Sequence, residues 1–138
     1  MPTDPNGTLD RVTGGVLRVG VTPYEDRVVL HENGPPSGVE VELVKDFAET
    51  LDADVDWQSG SEGQHVRALE DHELDLIIGG ISDRTPWSSK TGVTRPYAEI
   101  TTEDGTQLKL VMLVQMGENA FLSELETFLT QRGQEASS

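Results

Sequence analysis

Polar and aromatic residues follow the apolar runs of this sequence, and their types suit the capture of a small ligand. They are Thr22, Tyr24, Gly80, Ser82, Arg84 and Trp87. Hydroxyls and the open backbone of a glycine offer hydrogen bonds, aromatic rings offer a stacking wall, and an arginine can hold a carboxylate with two bonds. Each type also has a structural interpretation: a tight turn for the glycine, a lid over the core for the rings, and a surface ion pair for the arginine.

The aspartates near position 54 do not complete a calcium site. Asp52, Asp54 and Asp56 begin like a calcium-binding loop. Position six of that loop requires glycine and position twelve a bidentate glutamate, but these positions hold Trp57 and Gly63. We therefore interpret the segment as a solvated strand edge.

The remaining motifs give no support for metal, cofactor or catalytic chemistry. His65 and His72 are two helical turns apart, about 10 Å, which is too far for one metal ion, so both are interpreted as surface histidines. The sequence has no Gly-x-Ser-x-Gly elbow, no phosphate-binding loop and no cysteine. Glu25 is the one loop carboxylate suited to acid–base chemistry, and no enzymatic activity is expected.

The chain is strongly acidic. Its 138 residues include 25 acidic and 10 basic residues, for a net charge of −15. Such a field repels phosphate backbones, so nucleic acid is not an expected partner. The acidity predicts either a solvated surface, such as one adapted to high salt, or a role in attracting a cationic solute.

Targeting signals are not evident in the sequence. No apolar run approaches the ~18 residues of a membrane helix. The first residues lack the basic and apolar regions of a signal peptide. The sequence alone therefore predicts either a cytoplasmic protein or a chain from which a signal has been removed.

The elements that must position the candidate residues alternate along the chain. Short runs rich in valine, leucine and isoleucine predict strands at residues 16–21, 55–57, 74–78 and 108–114. Apolar residues at helical spacing predict helices after Gly38, over residues 62–71, and from residue 117 to a stop at Gly133. This alternation predicts an α/β fold, a three-layer sandwich with a mostly parallel central sheet.

The predicted organisation is one folded domain with loose ends. Residues 1–14 are interpreted as a flexible lead-in, 15–133 as a single α/β lobe, and 134–138 as a frayed tail. Ligands of such sheets bind outside the carboxyl ends of the strands. The loops expected at that edge are 22–27, 59–63 and 79–87.

Four segments, taken together, resemble one protein family. Residues 17–21 (Leu-Arg-Val-Gly-Val) look like its opening strand, and residues 38–43 (Gly-Val-Glu-Val-Glu-Leu) are similar to its Gly-aromatic-Asp-Val-Asp-Leu helix start. Residues 68–82 end in Leu-Asp-Leu-Ile-Ile-Gly-Gly-Ile-Ser and resemble its strand with a Ser/Thr loop, and residues 94–97 (Thr-Arg-Pro-Tyr) look like its Phe-Ser-x-Pro-Tyr ending. The family is the type 2 periplasmic solute-binding proteins, amino-acid-binding group (solute-binding family 3), and the resemblance covers residues 16–98.

Two departures from the family pattern change what the resemblance implies. Family members leave the first lobe after the Pro-Tyr motif, build a second lobe and return, but here residues 98–107 alone precede the returning strand. The second lobe is therefore expected to be missing, with a short turn in its place. Amino-acid binders of the family usually grip the α-carboxylate with an arginine after the Ser/Thr loop. Ungapped alignment puts Trp87 there, with Arg84 three residues earlier as the candidate substitute.

The resemblance implies the substrate-binding component of an ABC-type transporter for small polar solutes such as amino acids, reduced to one lobe with weak or lost binding. By matched position, Thr22, Tyr24, Gly80 and Ser82 would contact the solute. The implied partners are that solute, an ABC-type permease, and a second copy or another protein covering the open cleft face. The implied location is periplasmic or extracytoplasmic. The alternative is a sensory, regulatory or protein-interaction module of the same fold.

Overall fold

A computed structural model describes residues 2–137, with side chains described as far as residue 132. Its helices are α1 (Thr8–Val12), α2 (Val39–Thr50), α3 (Glu62–Glu70) and α4 (Asn119–Ser137). Its strands are β1 (Val16–Val21), β2 (Asp54–Ser59), β3 (Leu76–Ser82), β4 (Gly92–Val93), β5 (Ala98–Thr101) and β6 (Gln107–Val114). A short 3₁₀ helix, Pro86–Ser89, follows β3.

The strands form one six-stranded sheet in the order β2-β1-β3-β6, with both β4 and β5 paired to β6. β1 is parallel to β2 and β3, with Val21 opposite Ser59 and Ile78. β6 is antiparallel to β3, β4 and β5. Five strands therefore point one way and β6 opposes them, in agreement with the mostly parallel sheet predicted. This arrangement brings the carboxyl ends of β1, β2 and β3 to one edge.

Helices cover both faces of the sheet. On one face, Phe47 of α2 contacts two rings of α4, with its ring centroid 5.9 Å from Phe121 and 5.5 Å from Phe128. On the other face, Val66 and Leu69 of α3 pack against β3 and β6. Each large apolar side chain buried in this way contributes roughly 1.5–3 kcal/mol to folding. The predicted three-layer α/β sandwich is confirmed.

The N-terminal segment differs from the flexible lead-in predicted for residues 1–14. The Asp4 carboxylate accepts hydrogen bonds from the backbone of Leu9 at 2.9 Å and Phe121 at 3.0 Å. Buried Glu118 accepts from the backbone N–H of Thr8 at 3.2 Å. These acceptors satisfy donors at the starts of α1 and α4, which would otherwise lack partners. The bonds from Thr8 and Phe121 join residues more than a hundred positions apart, so no local pattern predicts them.

A hairpin between β5 and β6 occupies residues 98–107, where the sequence predicts a short turn. Thr101 pairs with Gln107, and the Thr102 N–H donates to the Thr106 carbonyl at 2.8 Å. The turn also contains Gly105, with φ 86°. Hydrogen bonds from the Thr102 hydroxyl and from Thr106 lower the pKa of Asp104 to about 2. Residues 102–106 thus form a hydrogen-bonded turn. β5 is a strand that the sequence analysis did not predict.

Helix α4 continues to Ser137, so the predicted stop at Gly133 is wrong. A glycine inside a helix costs only about 1 kcal/mol relative to alanine, which does not by itself end the helix. The frayed tail predicted for residues 134–138 stays a prediction. The side chains of these residues, and the backbone of residue 138, lie outside the described part of the chain. Within residues 2–137, no helix combines the length and apolar character that crossing a membrane requires.

Candidate functional site

Two glycines at the end of β3 form the centre of the carboxyl edge. The N–H groups of Gly79 and Gly80 both donate to the carboxylate of Glu40, at 3.1 Å each. Glu40 lies in the first turn of α2 and is fully buried. Its carboxylate also accepts a hydrogen bond from Arg27 Nε at 3.0 Å, which balances its charge. A buried charge of this kind is tolerated because it is paired and hydrogen-bonded.

The side chain of Tyr97 adds a third polar group to this cluster. Its hydroxyl is buried near Glu40 and Arg27. It forms no hydrogen bond with any described residue. Burial raises the pKa of Tyr97, and the Glu40 carboxylate raises it further. Tyr97 therefore stays neutral, and it belongs to the support beneath the glycines rather than to a titrating site.

Tyr24 lies directly on Gly80. A Cβ at Gly80 would come within 2.3 Å of the Tyr24 ring, and Gly80 has φ 65°, a conformation that favours glycine. A Cβ at Gly79 would likewise meet the Thr22 carbonyl at 2.7 Å. The Thr22 hydroxyl donates to the Gly60 carbonyl at 3.4 Å, joining the first loop to the second. The structure thus brings Thr22, Tyr24 and Gly80 together, as expected.

The amide of Gly80 is not available to a ligand, contrary to the expectation that its backbone N–H is free. The Glu40 carboxylate already occupies it. The sequence signal for this contact is the acidic residue in the first turn of the helix after Gly38, where the helix dipole favours a carboxylate. The side chain instead turns inward and bonds the β3 loop.

Ser82 and Arg84 lie on the other side of the glycines. The Ser82 hydroxyl oxygen accepts from the Arg84 backbone N–H at 3.2 Å. The exposed Arg84 side chain lines a groove of about 280 Å³ together with Asp83, Glu99 and Lys109. Arg84 therefore lies beside the β5–β6 hairpin.

Trp87 closes the α3 face of the sheet and bonds a carboxylate. Its ring packs against the apolar cluster of α3, β3 and β6. Its indole N–H donates to Glu62 Oε1 at 3.0 Å. Glu62 opens α3 directly after the N-cap Ser61, whose side chain accepts from the N–H of Gln64 at 3.2 Å. Sequence reasoning missed Glu62, although the Ser-x-x-Gln capping pattern places it in the first turn.

The remaining residues that the sequence singled out are Glu25, His65 and His72. Glu25 is exposed in a turn with φ 47°. His65 is buried, with Nε2 3.0 Å from the Val21 carbonyl, so its interpretation as a surface histidine is wrong. His72 is exposed and bonds Gln115 at 3.0 Å. Among the side chains of residues 2–132, no group of three or more His, Asp or Glu is placed to hold a metal ion.

A second concavity lies beside the site, between the sheet and the loop that follows β1. It measures about 380 Å³ and is lined by Leu30, His31, Pro36, Trp57 and Ser59, among others. Ser59 ends β2, so this groove opens on the same edge as the glycines.

Comparisons with known proteins bear on the family and the fold. The family model of the bacterial extracellular solute-binding proteins, family 3, matches residues 17–136. The arginine-bound form of domain 1 from TmArgBP has a TM-score of 0.77 at 20% identity, over 88% of this chain and 97% of that one. The ancestral amino acid-binding protein AncCDT-1, a precursor of cyclohexadienyl dehydratase, has a TM-score of 0.80 at 15% identity, over 94% of each chain.

A third solved structure, the unliganded open L-cystine solute receptor of Neisseria gonorrhoeae, has a TM-score of 0.75 at 11% identity, over 93% of this chain and 92% of that one. A comparison with curated proteins found no match. At these identities the likeness to solved structures concerns the fold, and the sequence match to the family model is the finding that bears on kinship.

Proposed function

Because the chain belongs to family 3 of the bacterial extracellular solute-binding proteins, we propose that it captures a small polar, amino-acid-like solute. The capture site is the carboxyl edge of the sheet, where Thr22 and Tyr24 meet Gly80. The observation that carries the proposal is the seating of the Tyr24 ring on Gly80, which only a glycine allows. It creates an aromatic platform at the edge where α/β sheets bind their ligands.

Binding at this platform is weak because one lobe supplies all the contacts. Small-molecule sites usually bury 70–90% of their ligand's surface. In two-lobed relatives a second lobe closes over the solute by hinge motion, as the resemblance implies. Here the β5–β6 hairpin occupies that place, so a bound solute keeps one side in water.

The transport partners follow from the same kinship. We propose that the protein works outside the cytoplasm and presents its solute to an ABC-type permease. We also propose that a second copy covers the open edge, because two copies together restore the enclosure that a single lobe lacks. The groove beside Trp57 offers further contact area on this edge.

Titration of ¹⁵N-labelled protein with a panel of amino acids tests the capture proposal. We expect chemical-shift changes confined to residues 22–27, 59–63 and 79–87, with dissociation constants on the order of millimolar. Submicromolar binding to the monomer by calorimetry would contradict the weak-binding part. Shifts scattered away from this edge, or none for any amino acid, would contradict the site itself.

A further inference from the structure

We propose that the solute held at this edge is an organic cation, an amine or guanidine, whose recognition needs no α-carboxylate. The inference rests on the proposed function, since it names the class of solute that the same site takes. It follows from an imbalance at the carboxyl edge: four N–H donors there already bond carboxylates of the protein, while a carboxylate and two aromatic rings remain.

Four donors that could grip a carboxylate are committed. The amides of Gly79 and Gly80 bond Glu40, as does Arg27 Nε. The indole N–H of Trp87 bonds Glu62. A ligand carboxylate would have to break these bonds, and each buried group that lost its partner would then be left unsatisfied.

The charged groups left at the edge are mainly negative. Glu62 is half-buried, and no lysine or arginine among the described residues forms an ion pair with it. Among the described residues, the one hydrogen bond to its side chain comes from a neutral indole, so its charge is not balanced locally. Glu25, Asp26 and Asp83 lie exposed in the neighbouring loops. A carboxylate ligand would be repelled here and an ammonium or guanidinium attracted.

The exposed guanidinium of Arg84 does not reverse the negative charge of this edge. Arg84 lines its groove with Asp83, Glu99 and Lys109, so that groove holds two charges of each sign. The rings of Tyr24 and Trp87 add to the attraction, because the face of an aromatic ring favours a cation. Where the resemblance implies an arginine that grips a carboxylate, this chain therefore presents Trp87 bonded to Glu62.

Arginine and agmatine make a matched pair of probes, since they share a guanidinium and agmatine lacks the carboxylate. We expect agmatine to bind at least about threefold more tightly in ¹⁵N titrations, the size expected for a partly exposed charge contact. The indole N–H signal of Trp87 should shift with agmatine. Glu62→Gln should abolish the preference, whereas Glu70→Gln, at the exposed end of the same helix, should keep it.

The outcomes separate this inference from the proposed function. Arginine binding as tightly as agmatine or more tightly would overturn the cation inference and leave solute capture standing. No binding of either probe, nor of any amino acid, would overturn both. Trp87→Arg supplies a second variant: it should lower the ratio of agmatine to arginine affinity. An unchanged ratio in a folded Trp87→Arg protein, as judged from its amide spectrum, would also overturn the inference.

Discussion

At the scale of single residues, Glu40 shows how a side chain that touches no ligand can shape a binding site. Its carboxylate bonds both glycine amides and Arg27 from a fully buried position. The sequence shows an acidic residue at this point of the helix, but it cannot show that the side chain turns inward. That direction depends on the loop of residues 24–27, whose Arg27 carbonyl accepts the Glu40 N–H at 3.0 Å.

Glu40→Gln should destabilise the fold by about 3 kcal/mol, because it leaves Arg27 half-buried without a counter-charge. Urea denaturation measures the effect. Glu42→Gln is the matched control on the same helix, since Glu42 is exposed and bonds Lys45 at 3.2 Å in a surface pair. The control should cost less than about 0.5 kcal/mol. Equal effects in the two variants would contradict the structural role given to Glu40.

Gly80→Ala should remove the aromatic platform. The new Cβ would collide with the Tyr24 ring, and the positive φ adds strain. A combined loss of about 3 kcal/mol is expected, together with loss of the solute-induced shifts at Tyr24. Gly105→Ala isolates the strain, because Gly105 has φ 86° and no atom near its added Cβ. It should cost about 1 kcal/mol and leave solute binding unchanged. Unaltered binding by Gly80→Ala would refute the platform.

At the scale of elements, the strands with apolar runs and the amphipathic helices could be predicted, and three features could not. Period and composition mark β1, β6 and α2 because their core residues lie close together in sequence. β4 has two residues and β5 has four, and each pairs only with β6. Such short edge strands owe their existence to a partner formed later in the chain. The same holds for α1, which depends on Glu118.

Glu118→Gln should loosen the N-terminal segment. The buried carboxylate accepts from Asn6 and Thr8, and an amide would turn an N–H₂ group towards these donors. We expect a loss of about 2 kcal/mol and faster hydrogen exchange at the amides of Asn6 and Thr8. Glu124→Gln, on the exposed side of α4, is the control. If exchange at Thr8 were the same in both variants, the anchoring role would be wrong.

The β5–β6 turn should weaken in acid. The folded pKa of Asp104 is about 2, against an ordinary value of 3.8, so its contribution to stability is complete above about pH 4. That contribution is lost as the pH falls through about 2, when the carboxylate that accepts from Thr106 becomes protonated. The chemical shift and exchange rate of the Thr106 amide report the change. In Asp104→Asn this titration should disappear, and its persistence would assign it to another group.

At the scale of the whole molecule, the acidic residues fall into two groups. Several carboxylates act inside the fold: Asp4 and Glu118 bond backbone groups, and buried Asp75 pairs with Arg18 at 3.1 Å. Most of the other described carboxylates are exposed, and the 25 acidic residues together outnumber the 10 basic ones to give the chain its net charge of −15. A charge of this size keeps copies apart at low ionic strength.

Salt should therefore promote the proposed pairing of two copies. At about 1 M salt the screening length falls to about 3 Å, so repulsion no longer opposes contact between the open edges. Static light scattering should show a monomer in dilute buffer and a growing dimer fraction in high salt. A monomer at every salt and protein concentration would contradict pairing. If Trp57→Ala leaves the dimer fraction unchanged, the interface does not include the groove beside β2.

The turn of residues 102–106 also makes the chain a scaffold for insertion. It joins two strands that are already paired in register, from Ala98 opposite Leu110 to Thr101 opposite Gln107. Each doubling of a flexible loop adds only about 0.6 kcal/mol to the cost of closing it. A fluorescent reporter inserted at Gly105, or the second lobe of a two-lobed relative, would therefore leave the sandwich intact. The turn that replaces the second lobe is thus also the position at which a sensor can be built.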